Sequence, residues 1–434
     1  MLSEKSLTPE QVEAIERLST RKTTLLVAAT GAGKTAICLS AAQRILAVGK
    51  LTRILVACPA KVVDVWPREK TKWDHLCDVG VVPIVGDAAQ RLLCIRKADK
   101  NHCQVIVVSL NNLEWLLNQK HGADGIIIDE LSKAAGRQTK GLNTKARGDC
   151  FKWRVGMTAT PVSQDFEKVF TMVRRLDKGK AFGSNKHAYL NKYFYSDYMG
   201  YNWTLKDGAD KRILDQITKL VHMVEDTKVD DLPALHEVEQ RFDMPPGTRE
   251  VYNKMKKDMV TGDIEAVNAA VRDGKLRQIS SGFVYDEDRN VTKLDSARLD
   301  EAVDWWLGHK RPAVIFYEYV AQGERLEAVF RNDLSASVDD FIKGKGTVLV
   351  AQISSLSHGV DGLQNVSHDA LFYHPQWSRD QKEQAIGRLW RTGQNHEVTI
   401  TTLVCDNTLD DVVVARVEDR AEWMDLFTKH MGGR

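Results

Sequence analysis

The stretch that most constrains this chain is Leu25-Leu26-Val27-Ala28-Ala29-Thr30-Gly31-Ala32-Gly33-Lys34-Thr35, which runs on into Ala36-Ile37-Cys38-Leu39-Ser40-Ala41-Ala42. An apolar run, a glycine turn and a further apolar segment predict a buried strand, a tight loop and a helix. Gly31 and Gly33 let the backbone take positive φ and turn amide N–H groups toward an anion. The helix N-terminus adds partial positive charge. Thr30, Gly31, Ala32 and Gly33 are thus the phosphate cradle. Lys34 would reach the β- and γ-phosphates, and Thr35 would offer its hydroxyl to Mg²⁺. The full pattern has glycine where Ala28 stands, so the match is to the looser A-x-x-G-x-G-K-T form. The stretch predicts a nucleoside triphosphate site, with ATP and Mg²⁺ as cofactors.

Length allows two or three domains around such a site, since the chain has 434 residues. Its 61 basic and 59 acidic residues leave a net charge of +2. That balance excludes holding nucleic acid by bulk charge, so any such contact must come from local patches. Seven scattered cysteines with no C-x-x-C pair argue against a zinc site or a disulfide framework and fit a reducing cytoplasm. Met1 to Glu10 lacks the layout of a signal peptide, and no apolar run approaches membrane-spanning length. A cytoplasmic protein with no membrane partner is expected.

Ahead of the phosphate loop, Thr8 predicts an N-cap, Pro9 the first helical residue, and Val12, Ile15 and Leu18 a buried stripe. Gln11 is a candidate for the adenine edge, because an amide both donates and accepts; a solvated helix glutamine is the alternative. Beyond the loop, Ile54 to Pro59, Val79 to Val85, Val105 to Val108 and Gly125 to Ile128 are short apolar runs separated by helical or irregular segments. That pattern predicts an α/β fold, a parallel sheet with helices on both faces and its ligands beyond the carboxyl ends of the strands.

Asp129-Glu130 directly follows one of these runs. An acid pair at a buried strand end needs a partner for its charge. Here Asp129 would hold Mg²⁺ and Glu130 would polarise an attacking water. The next segment, Lys133 to Lys152, carries Arg137, Lys140, Lys145 and Arg147 with one acid, Asp149, and three glycines that loosen its backbone. It suits phosphate-backbone contact or, alternatively, is solvated surface. Lys61 and Ser109, after the Ile54 and Val105 runs, are candidates for the same contact. Val155 to Pro161 is a further strand ending in small hydroxylated residues, a relay between nucleotide and substrate sites.

Residues 165–225 are expected to be a helical segment, and Tyr189, Tyr193, Phe194, Tyr195, Tyr198, Tyr201 and Trp203 form an aromatic cluster read as core rather than as a base-stacking surface. Glu225 to Pro233 is the expected linker. A second α/β set follows in Val314 to Tyr317, Thr347 to Val350, Ala370 to Tyr373 and Val398 to Thr401. The domains expected are 1–225 and 226–434. The second carries Gln384-Ala385-Ile386-Gly387-Arg388-Leu389-Trp390-Arg391-Thr392-Gly393-Gln394. On a helix, Gln384, Arg388 and Arg391 stand at i, i+4 and i+7 and share one face. Two arginines presented together suit a γ-phosphate whose charge must be neutralised in the transition state.

Together these stretches resemble superfamily-two helicases, and within them the Snf-type family of double-stranded DNA translocases. The resemblance covers nearly the whole chain. Its most specific element is the Gln384–Gln394 run with its trailing Gly-Gln. Met157 to Pro161, Phe182-Gly183-Ser184, Leu232-Pro233 with Tyr252, Leu276 to Gly282, Ser296 to Asp300 and Gln376-Trp377 support it. Asp129-Glu130-Leu131-Ser132 departs from the usual Asp-Glu-Ala/Gly-His ending, and Trp390 stands where histidine is usual. Asp361, in His358 to Gly362, is more similar to DEAD-box RNA helicases, where such an aspartate approaches the nucleotide ribose.

The resemblance implies two RecA-like doubly wound parallel-sheet lobes in tandem with a helical insertion. It implies catalysis by Glu130, Arg391, Arg388 and Gln384, and a compact, monomeric motor of the kind found in bacteria or their phages. The expected activity is ATP-dependent translocation on duplex DNA. The alternatives are a strand-separating helicase on DNA or RNA, and an ATP-gated clamp that does not move.

Overall fold

The computed structural model describes residues 1–415 apart from 30, 133, 135–136, 160–165, 199–202, 225–231, 259, 262–263, 266–268 and 357–361. The chain divides into two compact units, Met1–Asp226 and Thr227–Ala421.

In the first unit the strands are β1 (Thr23–Ala28), β2 (Ile54–Cys58), β3 (Val81–Ile84), β4 (Val105–Ser109), β5 (Gly125–Ile128), β6 (Trp153–Thr158), a hairpin of β7 (Phe194–Ser196) and β8 (Trp203–Leu205), and β9 (Val221–Val224). Seven of them make one parallel sheet in the order β3-β4-β2-β5-β6-β1-β9. The strands are continuously apolar because successive residues feed opposite layers. Leu25, Leu55, Ile106 and Ile126 enter one core, while Leu26, Val56, Val107 and Ile127 enter the other.

The second unit holds β10 (Leu235–Phe242), two small hairpins, β11 (Val260–Thr261) with β12 (Ile264–Glu265) and β13 (Phe283–Tyr285) with β14 (Val291–Lys293), then β15 (Ala313–Tyr317), β16 (Val348–Gln352), β17 (Asp369–Phe372) and β18 (Val398–Cys405). Its sheet runs β10-β18-β17-β15-β16, again with every pairing parallel. Ile315 and Leu371 face one layer, Val314 and Phe372 the other. Each unit is a doubly wound, RecA-like lobe, and the fold class is α/β, as the sequence predicts.

Three features differ from the sequence expectation. The segment 165–225 contains helices Phe166–Asp177, Lys186–Tyr193 and Ala209–Ile217, but also the β7–β8 hairpin and β9, which pairs with β1 at the sheet edge. Its aromatic cluster splits. Tyr189, Tyr193 and Phe194 are core, whereas Tyr195 and Tyr198 are exposed. The polar edge strand β10 was not foreseen either. Its side chains are mostly exposed, and the backbone ladder to β18 rather than an apolar face holds it. Most of the expected linker lies outside the described residues.

Candidate nucleotide site and arginine turn

The order of the first sheet brings the functional strand ends side by side. β6 stands between β1, which leads into the phosphate loop, and β5, which ends at the acid pair. The helix Lys34–Ala47 begins at Gly33, whose φ is 80°, and Gly31 has φ 96°. A Cβ on Gly31 would meet nothing within 4 Å, so that glycine is there for its conformation. A Cβ on Gly33 would lie 2.7 Å from Gln11 Nε2. Ala32 is buried and Thr35 half-buried beside them.

Lys34 Nζ donates to the Ala28 and Ala29 carbonyls at 2.7 and 2.8 Å, which aims the ammonium back across the loop. Gln11 secures the loop from outside. Its Nε2 donates to the Ala32 carbonyl at 3.1 Å, and its Oε1 accepts from Thr8 N in a capping box at the start of the helix Pro9–Thr20. The amide weighed for the adenine edge thus ties helix to phosphate loop. Thr30 lies outside the described residues.

Asp129 is 7% exposed, and its N–H continues the sheet by donating to the Ala57 carbonyl at 2.8 Å. Its charge reaches the neighbouring thiols. Burial and then Asp129 push Cys38 up, while Lys34 pulls the other way, so Cys38 lies in the field of both groups. Burial and Asp129 also raise the Cys58 thiol. Glu130 takes φ 54°, a left-handed conformation that is uncommon outside glycine and that gathers at functional sites. Directly after it, Leu131 N donates to the Met157 carbonyl of β6 at 2.8 Å. Leu131 also packs so closely that a Cβ on Gly156 would come within 2.5 Å of it. The turn is therefore held from below, with Thr158 buried at the end of β6.

These donors fit a triphosphate and a hard cation. The cradle would hold phosphate oxygens, Lys34 their charge, and Thr35 with Asp129 would hold Mg²⁺. Among the described residues no group of three or more His, Cys, Asp or Glu side chains is placed to hold a metal.

The basic loop is better anchored than its glycines suggested. Arg154, 2% exposed, donates to the Leu142, Gly148 and Arg175 carbonyls, and Arg175 Nε donates to Thr139 Oγ1. Burial lowers both guanidinium groups to about 10. Gly141 and Gly148 are tight-packing positions rather than loosening ones, since a Cβ on Gly148 would come within 2.1 Å of the Leu142 carbonyl oxygen. Arg147 is ion-paired with Glu114, which also accepts from Gly141 N. Lys140 and Lys61 are exposed and Ser109 is buried at the end of β4. The side chains of Arg137 and Lys145 lie outside the described residues.

In the second lobe the helix carrying Gln384 spans Arg379–Ile386 and ends at Gly387. Arg388 and Arg391 therefore sit on the turn after it, not on one helical face. Gln394, 5% exposed, locks this turn. Its Nε2 donates to the Ser367 and Leu389 carbonyls at 3.1 Å each, and its Oε1 accepts from Asn395 N and His396 N. Gly393 supplies φ 99° just before it. The trailing Gly-Gln is thus the clasp of the arginine turn. Trp390 Nε1 donates to the Pro233 carbonyl at 2.7 Å, which gives the unusual tryptophan a role in the same lobe. Gln384 is buried, Arg388 and Arg391 are half-buried, and Asp361 lies outside the described residues.

Upstream of that helix, residues 373–377 are held by a buried polar network that sequence reasoning missed. Arg298 donates to the Ser280, Tyr373 and Leu403 carbonyls and pairs with Asp410, both side chains being 0% exposed. Arg277 pairs with Glu318, donates to the Pro375 carbonyl at 3.1 Å and lies over the Trp377 ring. His374 stands between Ser281 and Asp410, and burial, then Arg298, lowers it to about 3, so the ring is neutral. Burial alone would raise Asp410. The Arg298 and His374 contacts outweigh it and keep the carboxylate ionised. In the sequence these arginines lie in Leu276 to Gly282 and Ser296 to Asp300, two of the stretches that carry the resemblance.

Residues 4–163 match the family model for the type III restriction enzyme res subunit. Over 98% of both chains, this one is 28% identical to protein p41 of Acyrthosiphon pisum secondary endosymbiont phage 1. It is 27% identical to the DNA repair and recombination protein RDH54 of Saccharomyces cerevisiae over 33% of this chain and 16% of that one. A solved structure, the Sulfolobus solfataricus SWI2/SNF2 ATPase core in complex with dsDNA, is similar at 17% identity and TM-score 0.45, covering 98% of this chain and 94% of the other. Among the described residues no helix is long and apolar enough to cross a membrane. With its phosphate loop, acid pair and clasped arginine turn, the chain resembles the helicase-like ATPases of the Snf type.

Proposed function

We propose that the chain is an ATP-dependent translocase on double-stranded DNA, working as a monomer in a bacterial cytosol or a phage-infected cell. The observation that carries this is the arginine turn. Gln394 and Gly393 hold Arg388 and Arg391 on a rigid clasp, the arrangement needed to present a planar cation fork to a phosphoryl group. In the first lobe, Glu130 on its held turn is the base that orients water, and Lys34 steadies the phosphates. Bound ATP supplies the phosphoryl group whose transfer drives the cycle. Gln384, Arg388 and Arg391 act in turnover rather than in binding. The likeness to a yeast DNA repair and recombination protein favours DNA over RNA, and the match over 98% of a phage protein favours a compact motor.

Lys61, Ser109, Arg137, Lys140, Lys145 and Arg147 are the proposed phosphate contacts. Contacts of that kind carry no sequence information and can be broken and remade in each cycle. The test is the hydrolysis rate with duplex DNA, single-stranded DNA, duplex RNA and single-stranded RNA side by side. Duplex DNA should stimulate most. Stimulation by RNA alone would overturn the reading and favour the helicase that Asp361 resembles.

A further inference from the structure

The β7–β8 hairpin carries an unusual surface. Its pairing sets Phe194 opposite Leu205, Tyr195 opposite Thr204 and Ser196 opposite Trp203. Phe194, Leu205 and Trp203 pack on the first core. Tyr195 and Thr204 point the other way, and Tyr195 is 62% exposed. Tyr198, just beyond β7, is fully exposed. Every other described Phe, Tyr or Trp is at least half-buried, so the exposed aromatic rings fall within four residues of one another on one hairpin.

A cation accompanies one of these rings. Lys206 Nζ lies 5.3 Å from the Tyr195 ring centroid while donating to the Asn191 carbonyl. From Lys178 to Lys219 the chain has eight basic residues against four acidic ones. Lys178 and Lys186 are paired with Asp149 and Glu167, whereas Lys206 stands beside the Tyr195 ring. An exposed π-face next to an ammonium matches an unpaired base next to its phosphate, and such stacking tolerates any base. In a duplex the base faces are covered, so the same surface would find little to stack on.

We propose that the outer face of this hairpin, through Tyr195, Tyr198 and Lys206, binds unpaired nucleotides, so that the preferred substrate is a duplex with an adjoining single strand. This rests on the translocase reading for the duplex part alone; the single-strand contact stands on the hairpin itself.

The test uses the full chain with the paired substitutions Tyr195→Ala and Tyr198→Ala, and Tyr195→Phe with Tyr198→Phe. Binding is measured by fluorescence anisotropy to an oligothymidylate of about 20 nucleotides, longer than the roughly 4–16 nucleotides of typical single-strand sites. A blunt duplex and a tailed duplex are measured in parallel. The alanine pair should bind oligothymidylate and the tail about tenfold to a hundredfold more weakly, the loss expected for stacked bases. Blunt-duplex affinity should stay within about twofold, and the phenylalanine pair should bind like the parent. An unchanged thermal midpoint checks that the hairpin still folds. Equal losses on blunt duplex and single strand, or no loss on either, would overturn the proposal. Absence of duplex-stimulated hydrolysis in the parent protein would instead refute the translocase reading and leave the oligothymidylate comparison intact.

Discussion

Asp410→Asn tests how far the second lobe depends on its buried ion pair. The Asp410 carboxylate accepts from Arg298 Nη2, from Cys405 N at 3.1 Å and from His374 Nδ1, with no exposure to solvent. Asparagine can replace some of these hydrogen bonds but leaves the Arg298 guanidinium buried without an anion. Removing one member of such a pair costs about 3–5 kcal/mol. Against a domain stability of about 5–15 kcal/mol and a urea slope of about 2–3 kcal/mol/M, the second-lobe midpoint should fall by about 1–2 M. Urea titration followed by tryptophan fluorescence reports it, since Trp305 and Trp306 lie in that core. Replacing Arg298 and Asp410 together with apolar residues should recover only part of the loss, because the Ser280, Tyr373 and Leu403 carbonyls would lose their donor.

The same network predicts a pH dependence. His374 is lowered to about 3 in the folded lobe, so between its unfolded value near 6.5 and that point the unfolded chain binds the extra proton. Stability should therefore fall as pH drops from 7 to 5, by about 2 kcal/mol from this ring, and His374→Asn should remove that share of the slope. A midpoint shift below about 0.3 M for Asp410→Asn, or an unchanged slope in His374→Asn, would mean that the buried pair and ring do not stabilise the lobe in this way.

Other substitutions separate the roles proposed for the site. Glu130→Gln should keep nucleotide binding and nearly abolish turnover, whereas Lys34→Ala should weaken both, as equilibrium titration and steady-state hydrolysis would show. Arg391→Ala should cost at least about 10²-fold in turnover with near-normal DNA affinity, on the scale of arginine fingers. Arg391→Lys should rescue poorly, because an ammonium does not replace the planar fork. In salt titrations of DNA binding, Lys140→Gln should flatten the log–log slope by roughly 0.9 if Lys140 meets one duplex phosphate. Arg147→Gln should do less, since Glu114 already neutralises that charge.

The parallel sheets were legible because their central strands are buried on both faces. Leu25-Leu26-Val27 and Ile126-Ile127-Ile128 leave no other reading once a glycine loop and an acid pair follow them. β10 was not legible, since an edge strand held mainly by backbone bonds shows no apolar pattern in His236-Glu237-Val238-Glu239-Gln240-Arg241. Arg388 and Arg391 stand out in the sequence as candidates, but their setting on a turn was hidden by a periodicity that runs straight through Gly387. Gln394 was noticed as a family mark, and only the fold shows it clasping the turn. The Arg298–Asp410 pair spans 112 residues, and no local spacing could join them. The aromatic stretch carried two signals at once, a core set and an exposed set, and strand alternation at Phe194-Tyr195 separates them.

The proposed activity is movement along duplex DNA without parting its strands, and triplex displacement distinguishes it from strand separation. A third strand annealed in the groove of a duplex is displaced by a motor that tracks the duplex, while a forked duplex of similar length reports strand separation. A duplex translocase should release the third strand only with ATP, leave the fork paired, and lose the release in Glu130→Gln. Efficient unwinding of the fork, or no release of the third strand with ATP present, would contradict it.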